Sequence, residues 1–166
     1  AEVITIGDEI LFGHITDTNT QWIGAELTAI GIRPAQKTSV GDIKSDILRV
    51  LNAALLKHDV VILTGGLGPT KDDITKQTLC EFFDTTLEIH PEALEEVTSF
   101  FEKRGRELID INKQQAALPV GATYLANKWG TAPGMWFERE GKIVVSLAGV
   151  PFEMKHLMTK EVLPRL

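Results

Sequence analysis

Two periodicities divide the chain. Short apolar runs, mostly β-branched, mark strands, and stripes at three- and four-residue spacing mark the helices between them. Val3 to Ile6 reads as a first strand. Asp17 and Thr18 then offer caps to a helix carrying Trp22, Ile23, Leu27 and Ile30 on one face, and Gly31 ends it. A second strand spans Ile32 to Val40, and Pro34 places it near a sheet edge. Ile43, Ile47, Val50, Leu51, Ala54 and Leu55 form the next helical stripe, and His58-Asp59 leads into Val60 to Leu63, four consecutive apolar residues of a strand buried on both faces. Strands alternating with helices in this way predict parallel pairing with right-handed crossovers.

The remaining pattern predicts a helix over 74–83, an extended segment over 85–89, and a helix opened by Pro91 with Leu94, Val97 and Phe101 on one face and Gly105 at its end. A short polar helix follows over 110–118, where Asn112, Gln114 and Gln115 suggest a cleft lining. Thr123 to Asn127 is extended, Met135 to Phe137 pairs with Ile143 to Leu147 in a hairpin, and Pro151 opens a helix through Phe152, Met154, Leu157, Met158 and Val162. The expected class is α/β, with a mostly parallel central sheet and a late β-hairpin.

Composition narrows the partners. At 166 residues, 43% of them apolar, the chain has the size of one domain with one core. Lys and Arg number 17 against 23 Asp and Glu, a net charge of −6, so no overall basic surface attracts nucleic acid or an anionic membrane. No apolar run nears the roughly 20 residues of a membrane span, and the first residues show no basic segment followed by an apolar one. The lone Cys80 excludes an internal disulfide and suits a reducing compartment, most simply the cytoplasm. A first residue other than Met and an end directly after a helical pattern suggest a domain, 1–166, excised from a longer chain.

Candidate chemistry gathers after the buried strand, in Gly65-Gly66-Leu67-Gly68-Pro69-Thr70 followed by Asp72 and Asp73. Glycines past the carboxyl end of a strand let backbone N–H groups approach an anion, and a helix begun near Asp72 adds its free N–H groups and its dipole. The spacing fits neither the P-loop nor the dinucleotide fingerprint. Two acids at an anion site have two readings: one caps the helix, or a divalent cation bridges carboxylate and phosphate. Asp8 and Asp42 also follow strands, either as ordinary turn and cap residues or as further members of the crevice. Gly149-Val150-Pro151 is a second strand-to-helix glycine turn. Phe100-Phe101 reads as core or subunit interface, the basic cluster from Lys103 to Arg106 as a solvated helix end or an attractor of phosphate, and His14 as a solvated loop residue.

Gly7 to Leu11, Asp17-Thr18-Asn19, Val40-Gly41-Asp42, the long Thr64 to Thr75 motif, Asn127, Gly130 to Gly134 and Gly149-Val150-Pro151 together resemble the amino-terminal domain of the competence/damage-inducible CinA family. More distantly, Asp8, Asn19, Asp42, Gly65, Gly66 and Asp73 resemble the molybdopterin-binding domains of molybdenum cofactor biosynthesis. The resemblance implies a three-layer α/β sandwich, self-association as a dimer or trimer, and often a fused carboxyl-terminal domain that deamidates nicotinamide mononucleotide. It also implies hydrolysis of ADP-ribose to AMP and ribose 5-phosphate with a divalent metal (Mg²⁺, Mn²⁺ or Co²⁺). On that basis Asp8, Asp42 and Asp73 hold the metal or position water. Gly65, Gly66, Leu67, Gly68, Pro69 and Thr70, with Thr75, hold phosphates. Asn19, Asn127, Gly130, Thr131, Pro133 and Gly134 meet the nucleoside end, and Gly149 and Pro151 form the second turn. Ala148 departs from the proline usual before Gly-Val-Pro, a change that loosens the turn but keeps its backbone donors. Two rival readings share the fold: a domain binding molybdopterin or transferring an adenylyl group, and a nucleotide-sensing module without catalysis.

Overall fold

In the computed structural model, which describes residues 1–70 and 73–166, β1 (Glu2–Ile6) is buried along its whole length and leads into a single turn of helix, α1 (Asp8–Leu11). There follow α2 (Thr18–Ala29), β2 (Gln36–Val40), α3 (Lys44–Lys57), β3 (Val60–Thr64), α4 (Thr75–Phe83), β4 (Leu87–Ile89), α5 (Pro91–Glu102) and α6 (Asp110–Lys113). The chain closes with β5 (Ala117–Pro119), β6 (Thr123–Leu125), β7 (Gly134–Arg139), β8 (Lys142–Leu147) and α7 (Pro151–Leu157), which loosens into a π turn over Met158–Val162. Six strands form one sheet in the order β2-β1-β3-β8-β7-β6, and β4 pairs with β5 in a separate ribbon.

The first four strands of that order run parallel, and β7 turns back on β8 in the expected hairpin, Phe137 facing Val144 and Met135 facing Ser146. Val61, Ile62 and Leu63 at the sheet centre are fully buried, as a strand covered on both faces requires. Helix α2 packs beside α7 and α3 beside α4, giving the two helical layers of an α/β sandwich around one continuous core. Each fully buried leucine or isoleucine contributes about 1.5–3 kcal/mol relative to exposure.

Four local expectations change. The edge strand β2 begins at Gln36, beyond Pro34, whose missing N–H suits no ladder. Ile30 is 45% exposed because α2 ends at Ala29 and Ile30 is its C-cap, past the buried stripe. The predicted 110–118 helix stops at Lys113, passes through a 3₁₀ turn at Gln114–Ala116 and becomes β5, because pairing with β4 overrides local helix preference. Gln115 consequently packs inward. It is buried, and its carbonyl accepts from Lys76 Nζ at 2.6 Å. Cys80 sits in the interior, where burial pushes its thiol up, so it is not an activated nucleophile.

Candidate functional site: a cleft between two glycine turns

The carboxyl ends of β1 and β3, the turn after β8 and the start of α2 enclose a cleft of about 480 Å³. Its floor is made by two glycine turns lying back to back. Gly65 has φ +113°, and a Cβ there would lie 2.1 Å from the Ile6 carbonyl oxygen. Gly66 has φ +64°, and its Cβ would lie 2.2 Å from Thr75 Oγ1, so both positions exclude any side chain. A Cβ on Gly149 would stand 3.3 Å from Gly65 Cα, which measures how closely the second turn approaches the first.

Two buried polar side chains tie the turns together. Thr64 Oγ1 donates to the Ala148 carbonyl at 2.9 Å and accepts from Asn19 Nδ2 at 3.1 Å. Asn19 Nδ2 also donates to the Gly149 carbonyl at 2.8 Å. Both neighbours of Nδ2 are acceptors toward it, which fixes the amide orientation and leaves Oδ1 as a buried acceptor with no partner among the described residues. From behind, Thr75 Oγ1 donates to the Gly65 carbonyl at 3.1 Å, and Thr75 N–H to the Gly66 carbonyl at 3.2 Å.

Along the cleft wall, the N–H groups of Gly66, Leu67 and Gly68 find no acceptor among the described residues. Thr70 differs, since its N–H and Oγ1 donate to Asp73 Oδ2 at 2.8 and 2.5 Å. Asp73 therefore closes the glycine loop and does not cap α4, which starts only at Thr75 with no side-chain cap. Asp72 lies outside the described residues.

Acids lie across from those donors. Asp8 N–H donates to Asp42 Oδ2 at 3.0 Å and Asp42 N–H to Asp8 Oδ1 at 3.3 Å, a reciprocal brace between the ends of β1 and β2. Asp42 lines the cleft while Asp8 stands exposed outside it. Burial pushes the Asp42 carboxyl up, the Asp8 N–H partly offsets this, and the charges of Asp8, Glu9 and Asp73 add to the rise. These acids thus share one electrostatic neighbourhood. Among the described residues, however, no three His, Cys, Asp or Glu side chains gather closely enough to hold a metal ion. The carboxylates fit a cation only where a ligand's phosphate oxygens complete its shell.

The structure does not bring the Asn127 to Gly134 segment into this cleft. Asn127 Nδ2 donates to the Ala132 carbonyl at 2.8 Å and to Glu153 Oε2 at 2.7 Å, and its Oδ1 accepts from Trp129 N–H at 3.2 Å, so both amide protons are committed within the protein and the side chain is held by its own loop and α7. Gly130 is required because any Cβ would strike Glu153, Gly134 begins β7 against Leu125, and Thr131 and Pro133 line a small crevice beside Tyr124. Trp129 stacks on His156 at 4.0 Å, pinning the loop to α7. Burial raises the Glu153 carboxyl, and its bond from Asn127 lowers it in part. The segment is a support for α7 and hence for Gly149 and Pro151, which do line the cleft. Pro69 is exposed and outside the lining, and Thr75 is buried behind the glycine turn.

Sequence reasoning missed Thr64 as a tie and Lys76 altogether. Thr64 had a signal, a hydroxyl ending an apolar strand. Lys76 had none. It is buried with its ammonium on the Gln115 carbonyl, and burial pushes its pKa down to about 8 against an opposing pull from Asp73.

This mostly parallel sheet, with strand-end glycine turns around a cleft, matches over residues 2–166 the family model described as "probable molybdopterin binding domain". A CinA-like protein of Cytophaga hutchinsonii is 52% identical over 159 residues, covering 96% of this chain and 38% of that protein. One of Flavobacterium psychrophilum is 48% identical, covering 100% of this chain and 40% of that one. The crystal structure of CinA from Thermoplasma acidophilum superposes with a TM-score of 0.86 at 35% identity, covering 95% of this chain and 92% of that one. The chain belongs to this family of probable molybdopterin-binding domains, as a CinA-type member. The molybdopterin biosynthesis enzyme MoaB of Thermus thermophilus, at 20% identity, a TM-score of 0.65 and coverage of 99% and 89%, shares the fold. The chain spans about two fifths of the length of the CinA-like proteins it matches.

Proposed function

We propose that the cleft binds a small phosphorylated ligand of the pterin or nucleotide kind, molybdopterin or its adenylylated form being the type the family points to. The observation that carries this reading is the run of N–H groups from Gly66 to Gly68, without acceptors among the described residues, at the end of a buried strand. Such a run is an anion cradle that needs no basic side chain. The phosphate sits on those donors, and the ring or sugar lies against Ile10, Ile15 and Val150.

A second, finer reading uses the same cleft for hydrolysis of ADP-ribose at its diphosphate, giving AMP and ribose 5-phosphate. The observation that favours it is the placement of Asp42 and Asp73 around one cleft with the glycine loop. A divalent cation held by these carboxylates and the phosphates would supply charge neutralisation. In this reading the glycine loop holds the diphosphate, and the acids orient water and hold its proton. Incubation of the protein with ADP-ribose, other dinucleotides and pterin in Mg²⁺, Mn²⁺ or Co²⁺, with product separation, decides between them. Release of AMP that disappears in Asp73→Ala supports hydrolysis; pterin binding or adenylyl transfer without it supports the first reading; saturable ADP-ribose binding without turnover supports a sensing role.

The wider setting belongs to the same proposal: a cytoplasmic domain, dimeric or trimeric, within a longer chain that carries a carboxyl-terminal deamidase. Among the described residues no helix is long and apolar enough to cross a membrane.

A further inference from the structure

A second hollow, about 380 Å³ in volume, lies between the last turns of α5 and the turn after β6, and it shares no lining residue with the glycine cleft. Helical spacing builds its main wall, where Ser99, Phe100, Lys103 and Arg104 fall on one side of α5, and Lys128 stands across from them. Val97 and Phe101, on the neighbouring side of the helix, pack with the core, and Phe100 lies outside that cluster. Its half-buried ring instead carries the Arg104 guanidinium 3.5 Å from its centre, while Arg104 Nη1 donates to the Phe100 carbonyl at 3.2 Å. Lys103, Arg104 and Lys128 are exposed, and none of them belongs to an ion pair among the described residues. In a chain with 23 acids against 17 bases, unpaired cations around one hollow set up a local positive field. Of the two acids in the lining, Glu96 is turned onto the Tyr124 hydroxyl, and only Glu95 stands exposed.

The geometry points to a second ligand site: this hollow takes a small planar ring carrying a phosphate, the ring lying on the Arg104–Phe100 stack and the phosphate between Lys103 and Lys128. A guanidinium held against an aromatic ring offers its other face to a further planar group. A phosphate suits two lysines on opposite walls better than a carboxylate does, because it carries more charge and three acceptor oxygens. The Ser99 hydroxyl on the same wall adds a donor that needs no charge. The volume stands near the lower end for small-molecule pockets, so it admits one ring with one phosphate and no extended dinucleotide. The site is independent of whatever the glycine cleft binds.

Amide chemical-shift mapping of the ¹⁵N-labelled protein tests this, with 1-naphthyl phosphate as the probe and 1-naphthol and inorganic phosphate as its two halves. The expected result is saturable shifts over 99–104 and 127–128 with a dissociation constant on the order of 1 mM or tighter, matched by neither half and weakened by added salt. Arg104→Gln and Lys128→Gln should each weaken the probe about threefold or more. Glu95→Gln should tighten it about twofold by relieving repulsion, a gain that loss of structure does not produce. All three side chains are exposed, so the variants keep the parent's melting temperature. Shifts confined to the glycine cleft, affinity unmoved by Lys128→Gln, or equal binding of either half overturns the second site, and each of these outcomes leaves the reading of the cleft as it stands.

Discussion

Thr64→Val is the sharpest perturbation of the cleft floor, since it keeps shape and removes one hydroxyl. Thr64 is completely buried, and its Oγ1 makes two bonds, to the Ala148 carbonyl and from Asn19 Nδ2. Valine replaces the hydroxyl by a methyl and leaves the carbonyl without its donor and one Asn19 proton without its acceptor, both out of reach of water. An unpaired buried polar group costs roughly 1–3 kcal/mol, and Asn19 keeps its bond to Gly149, so a loss of about 2–4 kcal/mol is expected. For a domain of this size that corresponds to a fall in melting temperature on the order of 5–15 °C. Thr64→Ser keeps both hydrogen bonds and loses only a methyl, about 1 kcal/mol. Urea denaturation with a shared slope, run on all three proteins, measures the difference. A valine variant within about 0.5 kcal/mol of the parent would refute the claim that this hydroxyl ties the two turns.

Other outcomes follow from the same geometry. Gly65→Ala should abolish folding or cost more than about 3 kcal/mol, since its Cβ meets the Ile6 carbonyl in a backbone region closed to alanine; soluble protein with an unchanged midpoint argues against the turn. Lys76 is depressed from 10.5 to about 8 in the fold, so the unfolded chain binds more protons between those values and stability rises with pH across that window. Relative to Lys76→Met, the parent should therefore gain on the order of 3 kcal/mol from pH 8 to 10.5, and parallel stability curves would count against a buried ammonium. Asn127→Ala should lose about 2–3 kcal/mol of stability while leaving the relative affinities of cleft ligands alone, and a selective loss for one ligand would return Asn127 to the binding surface.

Much of the fold was legible because its signals are local. The run Val60 to Leu63, the stripe from Ile47 to Leu55 and the hairpin from Met135 to Leu147 each bury what their period exposes to the core. Strand β5 was not legible, because Ala117 to Pro119 becomes extended only through its pairing with β4. The site divides in the same way. Glycines at strand ends announced the two turns, Gly65 and Gly66 because no other residue tolerates their backbone and Gly149 because a Cβ would crowd Gly65. Asn127 was placed at the nucleoside end by the family resemblance, and only the fold shows its amide engaged by Ala132, Trp129 and Glu153. Asp73 was read as a cap or a metal ligand, while its bonds to Thr70 close a loop that no periodicity describes.

The donors at Gly66, Leu67 and Gly68, which meet no acceptor among the described residues, belong to the main chain, and alanine scanning leaves main-chain amides in place. A conventional scan of this protein will report folding defects at the glycines, modest effects at Leu67, and little that traces the outline of a guest. Replacing single amides by esters through chemical synthesis, one position at a time, is the manipulation that would draw that outline.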